Sequence, residues 1–492
     1  MPLHDLAAGR RPIADRRLHP ADRRLHDLEG GAGAVVGIAC GPLHPQRNTQ
    51  ERRERACVSP RWHTSNMPYR AALPSVRRAR SLPSGEVPSM KQTSEMYRLT
   101  RRDFVRAASV GPAAAWLAAC DRAGDAGSAA EAEAAIAARA EQEQPPRWVK
   151  DPSPFIQRVT NLETRLELID GFITPNELFF VRNHSPTPTI DPADYSLRVE
   201  GDGAESELRL DLSTLESLPQ HTITAYLECA GNWRGLYPEL TGTRASGGQW
   251  TTGAVGCAEW SGPSLGTVLD LAGVRPETVD VNLVGLDGGF ERAMPLAKAR
   301  DPDTIIALRM NGEPLPADHG FPARSVVPGW SGSSSIKWLG SIQISTERVW
   351  NRNNTSSYVL IGDQWPEADY APAQGPVITE LVVKSALALP RPAQLEPGSH
   401  VLHGFAHAPA GPVSAVEWSP DGGATWLEAE IVDPVLPLAW QRFEFEWDAT
   451  PGAHTLATRA TDAAGNTQPD EPLMNEKGYL LNVPLPHPVQ VG

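Results

Sequence analysis

The amino-acid sequence predicts an α+β domain followed by an all-β sandwich of the immunoglobulin type. The chain has 492 residues, which is enough for two or three domains that each bury a core. Residues 148–375 mix strand signals with capped helix signals. Residues 376–492 contain short alternating segments separated by turns, and a spacing of about ten residues between strands is typical of a sandwich.

Local patterns place individual elements in the first domain. Residues 265–272 have the apolar spacing of a helix, and Gly273 is expected to end it, because glycine is favoured just beyond a helix C-terminus. A second helix is expected at residues 213–218. Apolar or alternating segments predict three strands, at residues 178–181, 195–199 and 281–284.

The second domain is predicted from alternation of polar and apolar side chains and from one turn. The turn is the Ser-Pro-Asp-Gly-Gly sequence at residues 419–423, a composition that favours chain reversal. The predicted strands are residues 413–418, 425–432, 441–447 and 454–461.

Two segments before residue 148, residues 1–95 and residues 121–147, are not expected to form a folded domain. Residues 1–95 are rich in arginine and lack hydrophobic periodicity, so we expect a disordered segment or an over-extended start, with the natural chain beginning at Met96. Residues 121–147 are rich in alanine and glutamate and predict a linker.

Residues 96–120 predict a twin-arginine secretory signal. Arg101 and Arg102 precede an apolar run at residues 107–119, which is too short to cross a bilayer as a stable helix. This signal predicts that the protein is exported folded, by the twin-arginine machinery, to the periplasm. The Leu-Ala-Ala-Cys sequence that ends at Cys120 fits either a lipoprotein site, with a lipid anchor, or a simple cleavage site.

Composition and cysteine usage narrow the class of protein. The net charge of −14 argues against a nucleic-acid binder, because contacts with phosphates need basic surface. Of the five cysteines, Cys40 and Cys57 precede the signal and Cys120 ends it, which leaves Cys229 and Cys257. Two cysteines make no disulfide framework, so burial must stabilise the core, and we expect Cys257 to be a small buried side chain.

The run Ala-Tyr-Leu-Glu-Cys-Ala-Gly-Asn-Trp-Arg at residues 225–234 is the most informative segment. A thiolate at Cys229 is a ligand for a soft metal, and the small residues after it leave room for a bulky cofactor. Arg234 has the planar fork that matches an oxyanion. A buried, inert thiol is the competing interpretation of a single cysteine.

The spacing Cys-Ala-Gly-Asn-x-Arg resembles the molybdenum-ligand loop of the sulfite oxidase family. Other segments resemble this family in the same chain order, from about residue 150 to residue 490. The resemblance implies a sulfite-oxidase-type molybdopterin-binding catalytic domain at residues 148–375 and an immunoglobulin-like dimerisation domain at residues 376–492. It also implies that Cys229 is the protein ligand of the molybdenum.

The same resemblance implies a set of residues that bind the molybdopterin. The motifs are Phe-Val-Arg-Asn-His, Leu-Asp-Gly-Gly-Phe, Asp-His-Gly-Phe-Pro-Ala-Arg and Ser-Ile-Lys-Trp-Leu. Arg324 and Lys337 are expected at the phosphate of the pterin, since arginine is a favoured bidentate partner of phosphate. The implied cofactor-binding residues are Phe180, Val181, Arg182, Asn183, His184, Cys229, Asp287, His319, Arg324, Ser335, Ile336 and Lys337.

Substrate binding is implied for Arg182 and Arg234, with Trp250 as a wall of the pocket. Two departures from the family pattern bear on the substrate. Lys477, in the sequence Asn-Glu-Lys-Gly, stands where the family places an arginine, and Leu308 stands where sulfite-oxidising members carry a tyrosine. Lysine keeps the positive charge but lacks the fork, so both changes concern the substrate and leave the cofactor assignment intact.

The resemblance therefore implies a molybdenum oxidoreductase that oxidises sulfite to sulfate. The sequence contains no Cys-x-x-Cys-His haem motif, so a separate cytochrome c or a partner subunit is expected as the electron acceptor. The alternatives are a relative that acts on another sulfur oxyanion or a sulfoxide, and a cofactor-free binding protein.

A homodimer formed by the sandwich is also implied by the resemblance. Four apolar residues near one edge, Leu436, Leu438, Trp440 and Phe443, offer a self-complementary surface for a twofold contact. The competing interpretation is that they fill the chain's own core, and alternation along the strand favours this for Phe443 and Trp447.

Overall fold

The computed structural model describes residues 147–492 except residue 410. The predictions for the arginine-rich segment, the twin-arginine signal, Cys120 and all but the last linker residue lie outside this part of the chain. Within it, no helix is long and apolar enough to cross a membrane. Cys229 and Cys257 are free thiols, and Cys257 is buried, as its sequence context predicted.

Strands dominate both domains, and the helices are short. The strands of the first domain are β1 Ile156–Arg158, β2 Asn161–Glu163, β3 Val181–Arg182, β4 Leu197–Glu200, β5 Leu208–Leu210, β6 Gln220–Glu228, β7 Val255–Pro263, β8 Asp280–Gly285, β9 Glu291–Pro295, β10 Ile305–Ala307, β11 Arg309–Met310, β12 Glu313–Pro314, β13 Arg324–Val326 and β14 Leu339–Ser345. Its α-helices are α1 Leu212–Ser217, α2 Tyr237–Thr241, α3 Leu265–Ala272 and α4 Leu296–Ala299. The strands of the second domain are β15 Lys384–Leu387, β16 Ala393–Leu395, β17 Gly398–His407, β18 Val413–Ser419, β19 Leu427–Ile431, β20 Gln441–Ala449, β21 Gly452–Asp462 and β22 His487–Val491.

A five-stranded sheet forms the larger core of the first domain. Its order is β5-β4-β14-β8-β9, with β14 parallel to β4 and antiparallel to β8. Alternation along β4 buries Leu197 and Val199 against α3 and exposes Arg198, as expected for a sheet with one covered face. Helix α3 begins at the cap Ser264, whose side chain accepts from the backbone of Thr267, and it ends at Gly273 with φ of 71°.

A four-stranded sheet, β12-β11-β7-β6, carries the candidate site. Strands β6 and β7 pair along their whole length, from Gln220 opposite Pro263 to Glu228 opposite Val255. Cys229 follows the last residue of β6, so the sheet fixes the position of its backbone. Of the predicted strand at residues 178–181, only Val181 lies in a strand, because the preceding residues form a turn.

The second domain is the β-sandwich that the sequence predicted. Its strands follow the order β15-β17-β20-β19-β18-β21-β22-β16 around a core rich in Phe and Trp. Gly404 in β17 has no room for a side chain, because a Cβ there would overlap Phe443 and the carbonyl of Ala386. The four predicted strands correspond to β18, β19, β20 and β21.

A shared apolar core joins the two domains, and it contains residues predicted for a dimer surface. Trp440 is fully buried, stacks on Phe405 at 4.1 Å between ring centroids, and donates to the carbonyl of Phe172 in the first domain at 2.6 Å. Phe443 is buried in the sandwich core, and Leu436 packs against the shared core. The prediction of a self-complementary surface from these residues is therefore wrong, because they face inward.

Candidate cofactor and substrate site

Cys229 opens into a cavity at the end of β6. Its backbone N–H donates to the carbonyl of Ala254 at 2.9 Å, and its own carbonyl accepts from Asn232 at 2.8 Å, so both neighbours fix the loop. The segment after Trp330 packs directly on this strand end, since a Cβ on Gly332 would come within 2.9 Å of the Glu228 carbonyl. The space beside the thiol, including the part that is open to solvent, measures about 730 Å³.

Most of the predicted cofactor-binding residues line this one cavity, although they come from five separate segments of the chain. Residues that the sequence did not single out, including Phe290 and Tyr358, complete the wall. The predicted residues among the lining are Phe180, Arg182, His184, Cys229, Asp287, His319, Arg324, Ser335, Ile336 and Lys337.

Two cations lie at one end of the cavity without a carboxylate partner. Arg324 is 5% exposed and donates to the carbonyls of His319 at 3.0 Å and Ser335 at 3.2 Å, while burial lowers its pKa to about 9. Lys337 donates to Asn183 and to the carbonyl of Asp318, and burial followed by the charge of Arg324 lowers its pKa. Neither cation forms an ion pair with a carboxylate of the described residues, although the more distant charges of Asp318 and Asp287 act to raise the pKa of Lys337. Because buried charges are normally paired, this end of the cavity fits a phosphate.

The two histidines of the site are neutral. Burial lowers the pKa of His319 well below its usual value, and the charges of Lys150 and Lys337 lower it further. Its Nε2 lies 2.8 Å from Lys150 Nζ, which is always a donor, so this nitrogen accepts. Burial, then Arg182 and Lys337, lower the pKa of His184 to about 2. A neutral imidazole adds no further charge to a cavity that already holds cations.

Asp287 supplies an acceptor without a partner. Its Oδ1 is buried and receives no hydrogen bond from the described residues, and burial raises the pKa of this carboxyl. A buried acceptor of this kind is expected to meet a donor, and the ring N–H groups of a pterin are suitable donors. No cluster of three or more His, Cys, Asp or Glu side chains in the described residues could hold a metal ion. A metal that arrives bound to its own organic ligand needs few protein ligands, so the residues present fit a molybdenum–pterin cofactor.

A wider cleft adjoins the cavity and carries further cations. It shares Arg182, His184 and Tyr358 with the cavity and has an empty volume of about 1480 Å³. Lys477 and Arg352 contribute to its wall. Lys477 Nζ donates to the carbonyl of residue 356, which holds the ammonium at the cleft.

Arg234 and Trp250 lie behind the site rather than in its lining. Arg234 is 4% exposed; it donates to the carbonyls of Lys477 at 2.5 Å and Gly248 at 3.0 Å and lies 4.7 Å from the ring of Tyr479. It therefore connects the Cys229 loop to the segment that carries Lys477. Trp250 is 1% exposed and meets Phe180 edge to face, with 6.2 Å between centroids.

Val181 and Asn183 also support the site from outside the cavity. Val181 is buried in a small core with Phe155 and Leu162. Asn183 accepts from Lys337 Nζ, so it positions the lysine and does not face the cavity itself. Phe180 and Arg182, the residues before each of them, line the cavity instead.

Comparison with known proteins agrees with this geometry. A family model for the oxidoreductase molybdopterin binding domain matches residues 184–353, and one for the Mo-co oxidoreductase dimerisation domain matches residues 375–490. Sulfite oxidase of Gallus gallus is 38% identical over 349 residues, which cover 66% of this chain and 74% of that protein. This chain belongs to the sulfite oxidase family. Its cofactor is the molybdenum–molybdopterin cofactor, and it is an oxidoreductase by family.

Two further similarities define how far the match extends. Mitochondrial sulfite oxidase of Rattus norvegicus is 36% identical over 349 residues, and the match spans 66% of this chain but 63% of that relative's length. The crystal structure of the sulfane dehydrogenase SoxCD from Paracoccus pantotrophus is similar with a TM-score of 0.60 and 28% identity, covering 72% of this chain and 91% of that one.

Proposed function

We propose that this protein oxidises sulfite to sulfate and passes two electrons to an external acceptor, such as a cytochrome c. The observation that supports this most directly is the position of the positive charges. Arg182 lies where the Cys229 cavity meets the open cleft, and Lys477 and Arg352 lie further along the cleft. An anion that approaches the thiol ligand from solvent therefore passes three cations, and focused charge favours its entry.

The residues of the chain bind and orient the substrate, whereas the bound cofactor supplies a two-electron oxidation with transfer of an oxygen atom. Arg182 donates from one terminal nitrogen to the carbonyl of Asn183 at 2.6 Å, which fixes the guanidinium and leaves other N–H groups for the anion. The ammonium of Lys477 adds a charge at the cleft. Preorganised donors of this kind stabilise charge without reorganising during the reaction.

The assembly and location of the protein follow from the same proposal. The dimerisation-domain match supports a homodimer, with a surface other than the inward-facing Leu436 and Trp440. The twin-arginine pattern in residues 96–120 supports export of the folded, cofactor-loaded enzyme to the periplasm. An external acceptor would then approach the open cleft, which is the exposed side of the site.

A second candidate is oxidation of a different sulfur compound, either another oxyanion or a sulfane-type substrate, or the reduction of a sulfoxide. The similarity to a sulfane dehydrogenase supports this candidate. Leu308 does not, because it packs in the apolar core of the first domain and lines neither the cavity nor the cleft, whereas Tyr358 lines both; the expectation that Leu308 bears on the substrate is therefore wrong. A cofactor-free binding protein has lost its support, since Cys229, Arg324 and Lys337 converge on one cavity.

Steady-state kinetics of molybdenum-loaded protein decide between these candidates. Sulfite turnover with ferricyanide or cytochrome c is expected, and rising sulfate or chloride should slow it by competing for the cations. Arg182→Met should raise KM for sulfite by about 10-fold or more, as expected for the loss of a charge-assisted contact. The exposed Arg309→Met is the matched control and should leave KM unchanged. Turnover of thiosulfate or a sulfoxide without turnover of sulfite would refute the first proposal.

A further inference from the structure

Residues 147–150 pack on the outer side of the cofactor cavity, and we call these four residues the clamp. They do not line the cavity, but they contact residues from three segments that do, at Phe179, His184 and His319. The guanidinium of Arg147 donates to the carbonyl of His184. The clamp therefore touches the wall of the cavity from behind at several points.

The backbone of the clamp supplies donors to the buried carboxylate of Asp318, a residue that is 2% exposed. The N–H of Val149 donates to its two carboxylate oxygens at 3.0 and 2.9 Å, and the N–H of Lys150 donates to Oδ2 at 2.7 Å. A buried carboxylate without such donors is costly. Opening of the clamp is therefore expected to disturb Asp318 and the adjoining His319.

Two hydrogen-bonded bridges join the clamp to Lys337, the lysine at the phosphate end of the cavity. The ammonium of Lys337 donates to the carbonyl of Asp318 at 2.9 Å and to the side-chain oxygen of Asn183. The side-chain nitrogen of the same Asn183 donates to the carbonyl of Arg147. Both acceptors of the ammonium are thus bonded to the clamp, so the position of Lys337 depends on it.

Lys150 also holds a ring that lines the cavity. Its Nζ lies 2.8 Å from Nε2 of His319 and donates to the carbonyl of Phe179 at 3.0 Å. Burial lowers the pKa of Lys150 to about 8, so the ammonium form still prevails at pH 7. Because an ammonium has no acceptor, Nε2 accepts, and His319 keeps its hydrogen on Nδ1. The lysine therefore fixes both the position and the tautomer of His319.

We propose that the clamp retains the molybdenum–molybdopterin cofactor and that Lys150 is a positioning residue for His319. The coupling is reciprocal: a docked clamp tightens cofactor binding, and the bound cofactor keeps the clamp docked by the same factor. The inference depends on the cofactor and not on the substrate. It therefore holds whichever sulfur compound the enzyme oxidises.

Lys150→Met tests the proposal in the full, cofactor-loaded chain, because it removes the ammonium and keeps an unbranched side chain. Release of the pterin is followed by its fluorescence, in urea at a concentration where circular dichroism stays native. Release should be faster by about 10-fold, the lower end of the effect expected for a hydrogen bond to a charged group. Thr187→Val is the second variant, since it removes a hydroxyl that contacts Asp318 and Asn183, and it should also speed release.

Lys298→Met is the matched control. Its ammonium also has two acceptors, Asp301 at 2.9 Å and the carbonyl of Pro328 at 3.2 Å, and it does not contact the clamp. This variant should release the pterin at the wild-type rate. A general loss of stability would speed release only together with unfolding, whereas loss of the clamp speeds it while circular dichroism is native.

Hydrogen exchange measures the coupling in the other direction. The N–H groups of Val149 and Lys150 should exchange at least about 10-fold more slowly in loaded protein than in protein made by a host without molybdopterin. Equal exchange in the two forms, or wild-type pterin release from both Lys150→Met and Thr187→Val, would overturn the proposal. If Lys150→Met does not fold, Thr187→Val and the exchange experiment decide. Loaded protein that retains its pterin and fails to oxidise sulfite would overturn the proposed function and leave the clamp in place.

Discussion

A buried ion pair between the two domains holds the strand that leads to Cys229. Lys384 of β15 places its Nζ 2.7 Å from Glu228 Oε1, and the two side chains are 4% and 1% exposed. His407 Nε2 lies 3.6 Å from the other carboxylate oxygen, and Asn232 donates to Oε1 at 2.8 Å. Burial alone would raise the pKa of Glu228, but the charges of Lys384 and His407 and the hydrogen bonds from Lys384 and Asn232 lower it below the usual value.

Lys384→Met should destabilise the protein strongly, because it leaves the Glu228 carboxylate buried without its cation. Breaking a buried pair in this way costs about 3–5 kcal/mol. The lysine also lies 4.8 Å from the ring of Trp233, so its loss removes a second contact with the Cys229 loop. This loss is a large fraction of the total free energy of unfolding, which is only about 5–15 kcal/mol for a typical protein.

The effect should depend on pH. In the wild type the pKa of Glu228 is lowered, so its stabilising contribution is present above the unfolded value of 4.5 and is lost as the pH falls. In the variant, burial without Lys384 raises the pKa of Glu228 above that value, so the penalty is present at neutral pH and disappears on acidification. The difference between variant and wild type should therefore shrink as the pH falls towards 4.5.

Urea unfolding monitored by circular dichroism measures this difference. Lys298→Met is the matched control, since the Lys298–Asp301 pair has a similar distance of 2.9 Å but side chains that are 18% and 33% exposed. An exposed pair of this kind contributes up to about 1 kcal/mol. The double variant Glu228→Gln/Lys384→Met should recover part of the loss, because no charge is left unpaired. Equal effects of Lys384→Met and Lys298→Met would refute the argument.

Further predictions concern the cofactor and the assembly. Cys229→Ser should retain the pterin and lose turnover, because a hard alcohol replaces a soft thiolate; pterin fluorescence with an activity assay measures both, and near-wild-type activity would contradict the ligand assignment. Arg324→Ala should lower pterin and molybdenum content by weakening phosphate binding by about 1.5–3 kcal/mol, whereas exposed Arg309→Ala should not; full molybdenum content in Arg324→Ala would contradict the role. Light scattering should give the mass of a dimer at micromolar concentration, and the mass of one chain would exclude the homodimer.

The parts of the site that the sequence predicted are those carried by contiguous motifs. Cys229 follows directly on a long strand, and Arg324 and Lys337 lie in short segments on either side of one loop. Residues this close in sequence stay close in space, so the motifs predicted their positions. Tyr358 and Tyr479 were missed because they meet across more than a hundred residues, and an aromatic residue in an irregular segment gives no periodic signal.

Some residues that were predicted at the substrate do not line the cavity. A motif specifies which residue type is present and not which way it faces. Arg234 and Trp250 were expected at the substrate, the structure places both outside the cavity lining, and their role in substrate binding stays a prediction. Trp440 illustrates the same limit in the second domain. An apolar cluster near a strand edge has the same pattern whether it faces a partner subunit or another domain of its own chain, and here it faces Phe405 and the first domain.

Metal analysis of the purified protein tests the central claim, which is that Cys229 and the phosphate end of the cavity hold a molybdenum–molybdopterin cofactor. The protein is expressed in a host that makes this cofactor, and molybdenum is measured by mass spectrometry against protein concentration. We expect molybdenum in an amount equimolar with the chain. Protein from such a host that folds and contains no molybdenum would contradict the claim.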